Sequence, residues 1–350
     1  MERFLNKPLK NKLKASAISS IWFSHAHAFN QQREPYEPDH VASLIINGLP
    51  RLDELWTEEL SKCGLSVKIT GVFCHQYPRV EFQMRENTVA VELADLLVVR
   101  RHHSKGKIER EVATLIQSKM SGDSTKEISN DDPQYFLYDN WPDFNFKQSE
   151  YSNHSRNIGK NIEQSKYSLI WEKRTFPEHN TVWPDSCFWS VVDNLKLNME
   201  SDESFASFLQ GMVTFERGRD FFSEQQIKCE WTKTILELLN VTFNKGLKTR
   251  IYKSPKRGSS PTAFLLSGVT DKYSAAGLKV NAGNGGHDAT EDDREDSSPG
   301  ISTILIETFD TEDQNKAPLN CMRPAKSSTQ PRKAKTWCAL KFKWAPVLAF

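Results

Sequence analysis

Four polar side chains stand in the otherwise apolar runs of "VELADLLVVRRHHSKGKIEREVATLIQSKM", residues 91–120: Glu92 and Asp95 in the first, Gln117 and Lys119 in the second. Burying such groups is costly unless they pair or hold a metal. Gln117 and Lys119 are two residues apart, so on a strand both side chains point to the same face. Asp95 lies 22 residues before Gln117, a separation that two paired strands and a hairpin loop fold back to contact. The pattern therefore gathers a carboxylate, an amide oxygen and an ammonium on one edge of a sheet, and that set suits phosphodiester hydrolysis. A carboxylate binds a hard cation, Mg2+ with Mn2+ as its substitute, and such a cation keeps several waters and also contacts phosphate. The metal acidifies a water, the Gln117 amide completes its coordination, and a lysine orients that water and offsets transition-state charge.

Strand parity leaves a choice between the two acids. Asp95 alternates in phase with Val91 and Leu93, whereas Glu92 lies on the other face. Either a bulge near Ala94 re-aims Asp95, as bulges beside active sites do, or Glu92 is the ligand or the ion-pair partner of Lys119. Asp95 is the favoured ligand. The hairpin tip "RRHHSKGK" offers Arg100, Arg101, Lys105 and Lys107 as phosphate-gripping groups, its alternative being a solvated loop. His75, in "CHQYP", is a supporting residue that could reach a metal or act as a base, although lone histidines are more often structural. The aromatics Tyr135, Phe136, Tyr138, Trp141, Phe144 and Phe146 fit core better than base stacking.

The surrounding elements form an α/β pattern. Residues 1–38 are a basic, aromatic-tipped extension ending in the proline-bounded loop "REPYEPDH". From Asp39 the chain turns helical, with a break at Gly48–Pro50 and a stop at Gly64. Three strands follow in "LSVKITGVFCHQYPRVEF", "TVAVELADLLVV" and "EVATLIQSKM", the second nearly all apolar as a central strand should be. "DPQYFLYDNWPDFNF" is an aromatic-rich helix or loop, "KYSLIWEK" a further strand, and two amphipathic helices lie between Ser201 and Gly246. Domain boundaries fall near 38 and 250; residues 251–350 read as linker, acidic stretch and basic tail, partly disordered, around one strand, "ISTILIETF". The order predicts a mixed central sheet flanked by helices, not a strict Rossmann alternation.

Composition sets the outer bounds. The 350 residues carry a net charge of +1, so any nucleic-acid surface is a local patch. Six cysteines, without a CxxC pair, fit reduced thiols and a cytoplasmic protein. "ASAISSIWF" is too short and serine-rich for the apolar region of a signal peptide, and no segment is long and apolar enough for a membrane helix. No P-loop, GxGxxG, HExxH or nucleophile elbow is present, which argues against an NTPase, a dehydrogenase, a zincin and a serine hydrolase.

An acid on one strand, Gln117-Ser118-Lys119 on the next, and an upstream helix bearing glutamates resemble the PD-(D/E)xK restriction-endonuclease-like superfamily. More narrowly, the pattern is similar to its Mrr-like variants, in which glutamine replaces the second acid. The resemblance spans roughly residues 40–170 and departs at Ala94, where the motif has proline. It implies a restriction-endonuclease-like core and Mg2+-dependent DNA cleavage in defence against foreign DNA. Asp95 would match the metal-binding aspartate, Gln117 the second metal ligand, Lys119 the catalytic lysine, and Glu58 or Glu59 the helical acid some members add. DNA is the implied partner, with a separate NTPase or other defence subunit supplying any motor. The alternative is a catalytically silent DNA-binding or scaffold subunit of a defence complex.

Overall fold

The computed structural model describes residues 6–30, 34–74, 77–175, 183–223, 229–245, 264–266 and 300–311. The chain divides into two units, Met1–Asn315 and Lys316–Phe350, and every described residue belongs to the first.

The N-terminal segment begins with helix α1, Lys7–Ala28, whose first turn is capped by the Asn6 side chain accepting from the Leu9 N–H at 3.0 Å. Leu13, Ala17 and Ile21 are buried at helical spacing, so α1 is part of the core and not an extension outside it. Helix α2, Glu37–Ser43, continues through a π turn at Leu44–Gly48 into α3, Leu49–Ser61. Trp56 of α3 is fully buried and donates its indole N–H to the Leu13 carbonyl at 2.9 Å, which fixes α3 against α1.

Strand β1, Leu65–Phe73, opens the sheet, but the chain then leaves it. β2, Arg79–Met84, and β3, Asn87–Glu92, form a small antiparallel sheet with β7, Phe144–Phe146. The hairpin of β4, Leu96–Ser104, and β5, Lys107–Ser121, returns to the large sheet. Its turn places Lys105 and Gly106 at φ +53° and +72°, positive values at both central positions that match the twist of paired strands. After α4, Pro133–Asn140, strand β8, Ser165–Trp171, pairs in parallel with β5. Strand β9, Trp189–Val192, pairs with β8, and β11, Glu203–Ser204, with β9. Short strands β6, Thr125–Glu127, and β10, Asn198–Glu200, pair apart from the large sheet, β12, Arg219–Asp220, pairs with β5, and two further helices are α5, Phe205–Thr214, and α6, Glu230–Asn240.

The sheet is completed from far along the chain. β14, Thr303–Asp310, inserts between β1 and β4, parallel to β4 and antiparallel to β1. The order is β11-β9-β8-β5-β4-β14-β1-β13, where β13 is Phe264–Leu266. A boundary at 250 therefore does not hold for the sheet: the strand expected inside a tail is one of its central members, with Ile304 and Ile306 fully buried. Helices α1, α3 and α5 cover one face, burying Ile69, Val98, Ile116 and Ile304. α4, α6 and the small sheet cover the other, burying Val99, Leu115, Leu169 and Trp231. Leu96 to Val99 are each 0% exposed, and burial on both faces explains why that run lacks alternation. The mixed, helix-flanked sheet agrees with the expected α/β class at that level.

The run "TVAVELADLLVV" is not one strand. β3 ends at Glu92 in the small sheet and β4 begins at Leu96 in the large one. The Leu93 N–H donates to the Pro78 carbonyl at 2.8 Å, while the Asp95 N–H donates to the Ile116 carbonyl at 3.0 Å. Within three residues the backbone changes sheets, and Asp95 stands at the change.

Candidate acidic site at the sheet break

Asp95 is fixed by the strand beside it. Its Oδ2 accepts the Ser118 backbone N–H at 2.6 Å and the Gln117 side-chain amide. The Gln117 oxygen accepts from the Gln134 amide at 3.0 Å, and the Gln134 oxygen accepts from the Lys119 ammonium at 2.8 Å. Gln134 is placed by the start of α4: Asp132 caps the helix by accepting from the Gln134 and Tyr135 N–H groups at 2.8 and 2.9 Å, and Pro133 fits the first helical position. Tyr138, one turn later, donates its hydroxyl to the Leu93 carbonyl at 3.0 Å and so ties α4 to the break.

The acid that meets Asp95 is Glu37, the first residue of α2, and the two carboxyl groups are hydrogen-bonded to each other. The helix start that positions it has Pro38 in its first turn and Asp39 accepting from the Tyr36 N–H at 2.8 Å. Glu37 and Asp95 are both half-buried, with their carboxyls enclosed by neighbouring atoms. Burial, with the Asp95 charge next, pushes Glu37 well above the carboxylate range, and Lys119 opposes this. Asp95 is raised too, chiefly by burial, while Lys119, the Ser118 N–H and Glu37 pull it down. The pair therefore retains a proton that two isolated carboxyls would have lost. Glu92, closing β3 opposite Arg79, also acts on Glu37 by its charge. Of the two acids of the parity question, Glu92 reaches the site by its charge, and Asp95 holds the central bonds because the sheet break re-aims it.

Other expected residues are elsewhere. Glu58 and Glu59 sit on the outer side of α3 and pair with Lys62 at 3.1 and 2.8 Å, Glu59 also with Lys12 at 3.0 Å. The acid that a helix brings to Asp95 is instead Glu37, which stood in a segment read as loop; Pro38 followed by Asp39 ahead of an apolar run was the helix-start signal. Arg100 is 0% exposed, stacks over Phe215 at 4.7 Å and bonds Thr308 and the Val213 carbonyl, so it cannot grip phosphate. Its guanidinium is lowered to about 9, chiefly by burial. Arg101 is tied to Glu111 at 2.7 Å. Lys105 and Lys107 are exposed at the turn, at the end of the hairpin opposite Asp95 and Lys119, and roughly 30 Å away at about 3.3 Å per residue along β4. His75 lies outside the described residues. Tyr138, Trp141, Phe144 and Phe146 are core, while Tyr135 and Phe136 are partly buried.

Among the described residues no group of three or more histidine, cysteine, aspartate or glutamate side chains gathers to hold a metal. The donors at this site are two carboxylates, Glu37 and Asp95, with backbone and amide oxygens around them. That set fits Mg2+ or Mn2+, which use one or two carboxylates and keep their waters, better than a metal needing a full protein cage. Gln117 turns its nitrogen to Asp95, so it supports that carboxylate and offers an oxygen only after its amide rotates. Comparison with protein-family models, with curated proteins and with solved structures returned no match. The site stands on its own geometry.

Proposed function

We propose that this chain is a divalent-cation-dependent nuclease that hydrolyses phosphodiester bonds in DNA, within a system that acts against foreign DNA. The observation that carries the reading is the Glu37–Asp95 carboxyl pair, kept above its ordinary protonation range beside the Lys119 ammonium. Two acids share one ammonium and are held above their ordinary range, and perturbed groups of this kind cluster at functional sites. Glu37 and Asp95 would hold Mg2+ or Mn2+, which when bound acidifies a water and offsets phosphoryl charge. Gln117 and the Ser118 N–H orient Asp95, and Gln134 aims the Lys119 ammonium, which positions the attacking water and faces a phosphoryl oxygen. An acid at a strand start, Gln-x-Lys on the neighbouring strand and an acid from a preceding helix are also the pattern of the restriction-endonuclease-like resemblance. Among the described residues no helix is long and apolar enough to cross a membrane.

Plasmid incubated with the full chain in Mg2+ or Mn2+ tests this. Wild type is expected to nick or linearise it, and Asp95→Ala and Lys119→Ala, with melting temperatures checked, are expected to lose the activity. Cleavage by folded variants at the wild-type rate would overturn the reading. DNA binding without cutting under either metal would replace it with the silent scaffold.

A further inference from the structure

The hydroxyl of Tyr167 is enclosed and has no hydrogen-bond partner, and the residue is 1% exposed. A buried hydroxyl left unpaired is destabilising, and phenylalanine would fill the same space without that cost. Other enclosed polar atoms without partners, such as the Trp183 and Trp231 indole nitrogens, occur in the core, but Tyr167 stands beside the acidic site. In the parallel ladder of β5 and β8 it is the direct partner of Gln117, so the two side chains lie next to each other on one face. Its ring meets Tyr138 edge-on with centroids 5.3 Å apart, and Tyr138 has the partner that Tyr167 lacks, the Leu93 carbonyl.

The amide chain shows when such a group is needed. Lys119 has only donors, so it holds the Gln134 oxygen; Gln134 then presents its nitrogen to the Gln117 oxygen, and Gln117 presents its nitrogen to Asp95. If Gln117 turns its oxygen toward a cation held by the two acids, its nitrogen swings toward the Gln134 nitrogen, donor against donor. Turning Gln134 as well only moves the conflict to Lys119. An acceptor from outside the chain of amides resolves it, and Tyr167 is the adjacent side chain with an open oxygen.

We propose that Tyr167 is a positioning residue of the acidic site, whose hydroxyl oxygen accepts the Gln117 amide N–H when a divalent cation draws the Gln117 oxygen toward Glu37 and Asp95. This rests on the reading that the site takes a cation. The test uses the full chain and Mn2+ alone. In chelator, Tyr167→Phe is expected to melt at or above the wild-type temperature, because no bond is lost. Its Mn2+ affinity, by titration, is expected to fall about tenfold, as for groups that orient metal ligands. In a Gln117→Leu background the same change is expected to have no further effect, since no amide remains to be accepted. Wild-type affinity in Tyr167→Phe, an equal loss in the Gln117→Leu background, or a lower melting temperature in chelator would each overturn the inference while leaving the cation site standing. Absence of Mn2+ binding by wild type would overturn both.

Discussion

Two clusters of charge flank β8 on its opposite faces, and they balance their acids differently. The second cluster, on the face away from Tyr167, joins buried Lys166 to half-buried Asp193, Arg217, Glu163 and Glu203. Lys166 meets Asp193 at 2.8 Å and Glu163 at 3.5 Å, and Arg217 meets Asp193 at 2.8 Å, Glu163 at 3.2 Å and Glu203 at 2.6 Å. Each carboxylate there touches a cation. Burial would raise Asp193, but the Lys166 hydrogen bond and charge, with Arg217, bring it below its ordinary value. In the acidic site the one ammonium is bonded to the neutral Gln134 amide, and the carboxyl pair is pushed upward instead. In the second cluster every acid has a cation, although burial still raises Glu203; in the acidic site two acids share one ammonium, an imbalance that the proposed cation would correct.

Removing one acid from the pair is the strongest way to break that contrast. Glu37→Gln keeps the shape and deletes the charge, and DNA cleavage is expected to fall by roughly 1,000-fold, the upper end for losing one transition-state-stabilising group. The metal-free protein should melt no lower than wild type, because an acid that burial disfavours is replaced by a neutral amide of the same shape. Cleavage rates close to wild type would remove Glu37 from the site.

In the second cluster the expected effect is on stability alone. The Lys166 side chain is 1% exposed, and Lys166→Met leaves Asp193 to Arg217 alone. Because Arg217 keeps that acid paired, the cost is expected at about 1–3 kcal/mol, measurable by urea denaturation, with Mn2+ affinity unchanged. A loss of Mn2+ affinity in that variant would join the two clusters into one unit.

The smallest effect is a pH slope. Burial, opposed by Arg217, raises Glu203 from an ordinary value near 4.5 to about 7. The folded chain therefore keeps a proton that the unfolded chain releases. Stability contributed by this group is intact below about pH 4.5, declines as pH rises through 7 and is flat above. After allowance for the solvent-facing part of the side chain, the change is on the order of 1 kcal/mol. Unfolding free energies at pH 5 and pH 8 should differ less in Glu203→Gln than in wild type, and an unaltered slope would assign it to other groups.

Much of the site followed from local rules. Gln117 and Lys119 share a face because a strand repeats every two residues, and Asp95 reaches them because β4 and β5 are joined by a short turn. The missed acid, Glu37, is also local in part, since Pro38 and Asp39 mark a helix start. Its meeting with Asp95 was not legible, because the packing of α2 over a sheet break depends on contacts between segments far apart in the chain.

The sequence by itself determined which side chains could do chemistry, the pairing of the hairpin that carries them and the apolar runs that demand burial on both sides. Only the tertiary structure decided that β14 enters between β1 and β4 from some 200 residues downstream of β4, that α1 belongs to the core, and that one apolar run serves two sheets. The physical reason is range. Periodicity and turn chemistry act between near neighbours, whereas the sheet change at Leu93–Asp95 is set by hydrogen bonds to the Pro78 and Ile116 carbonyls, and the charge of the site by a glutamate that only packing brings to it.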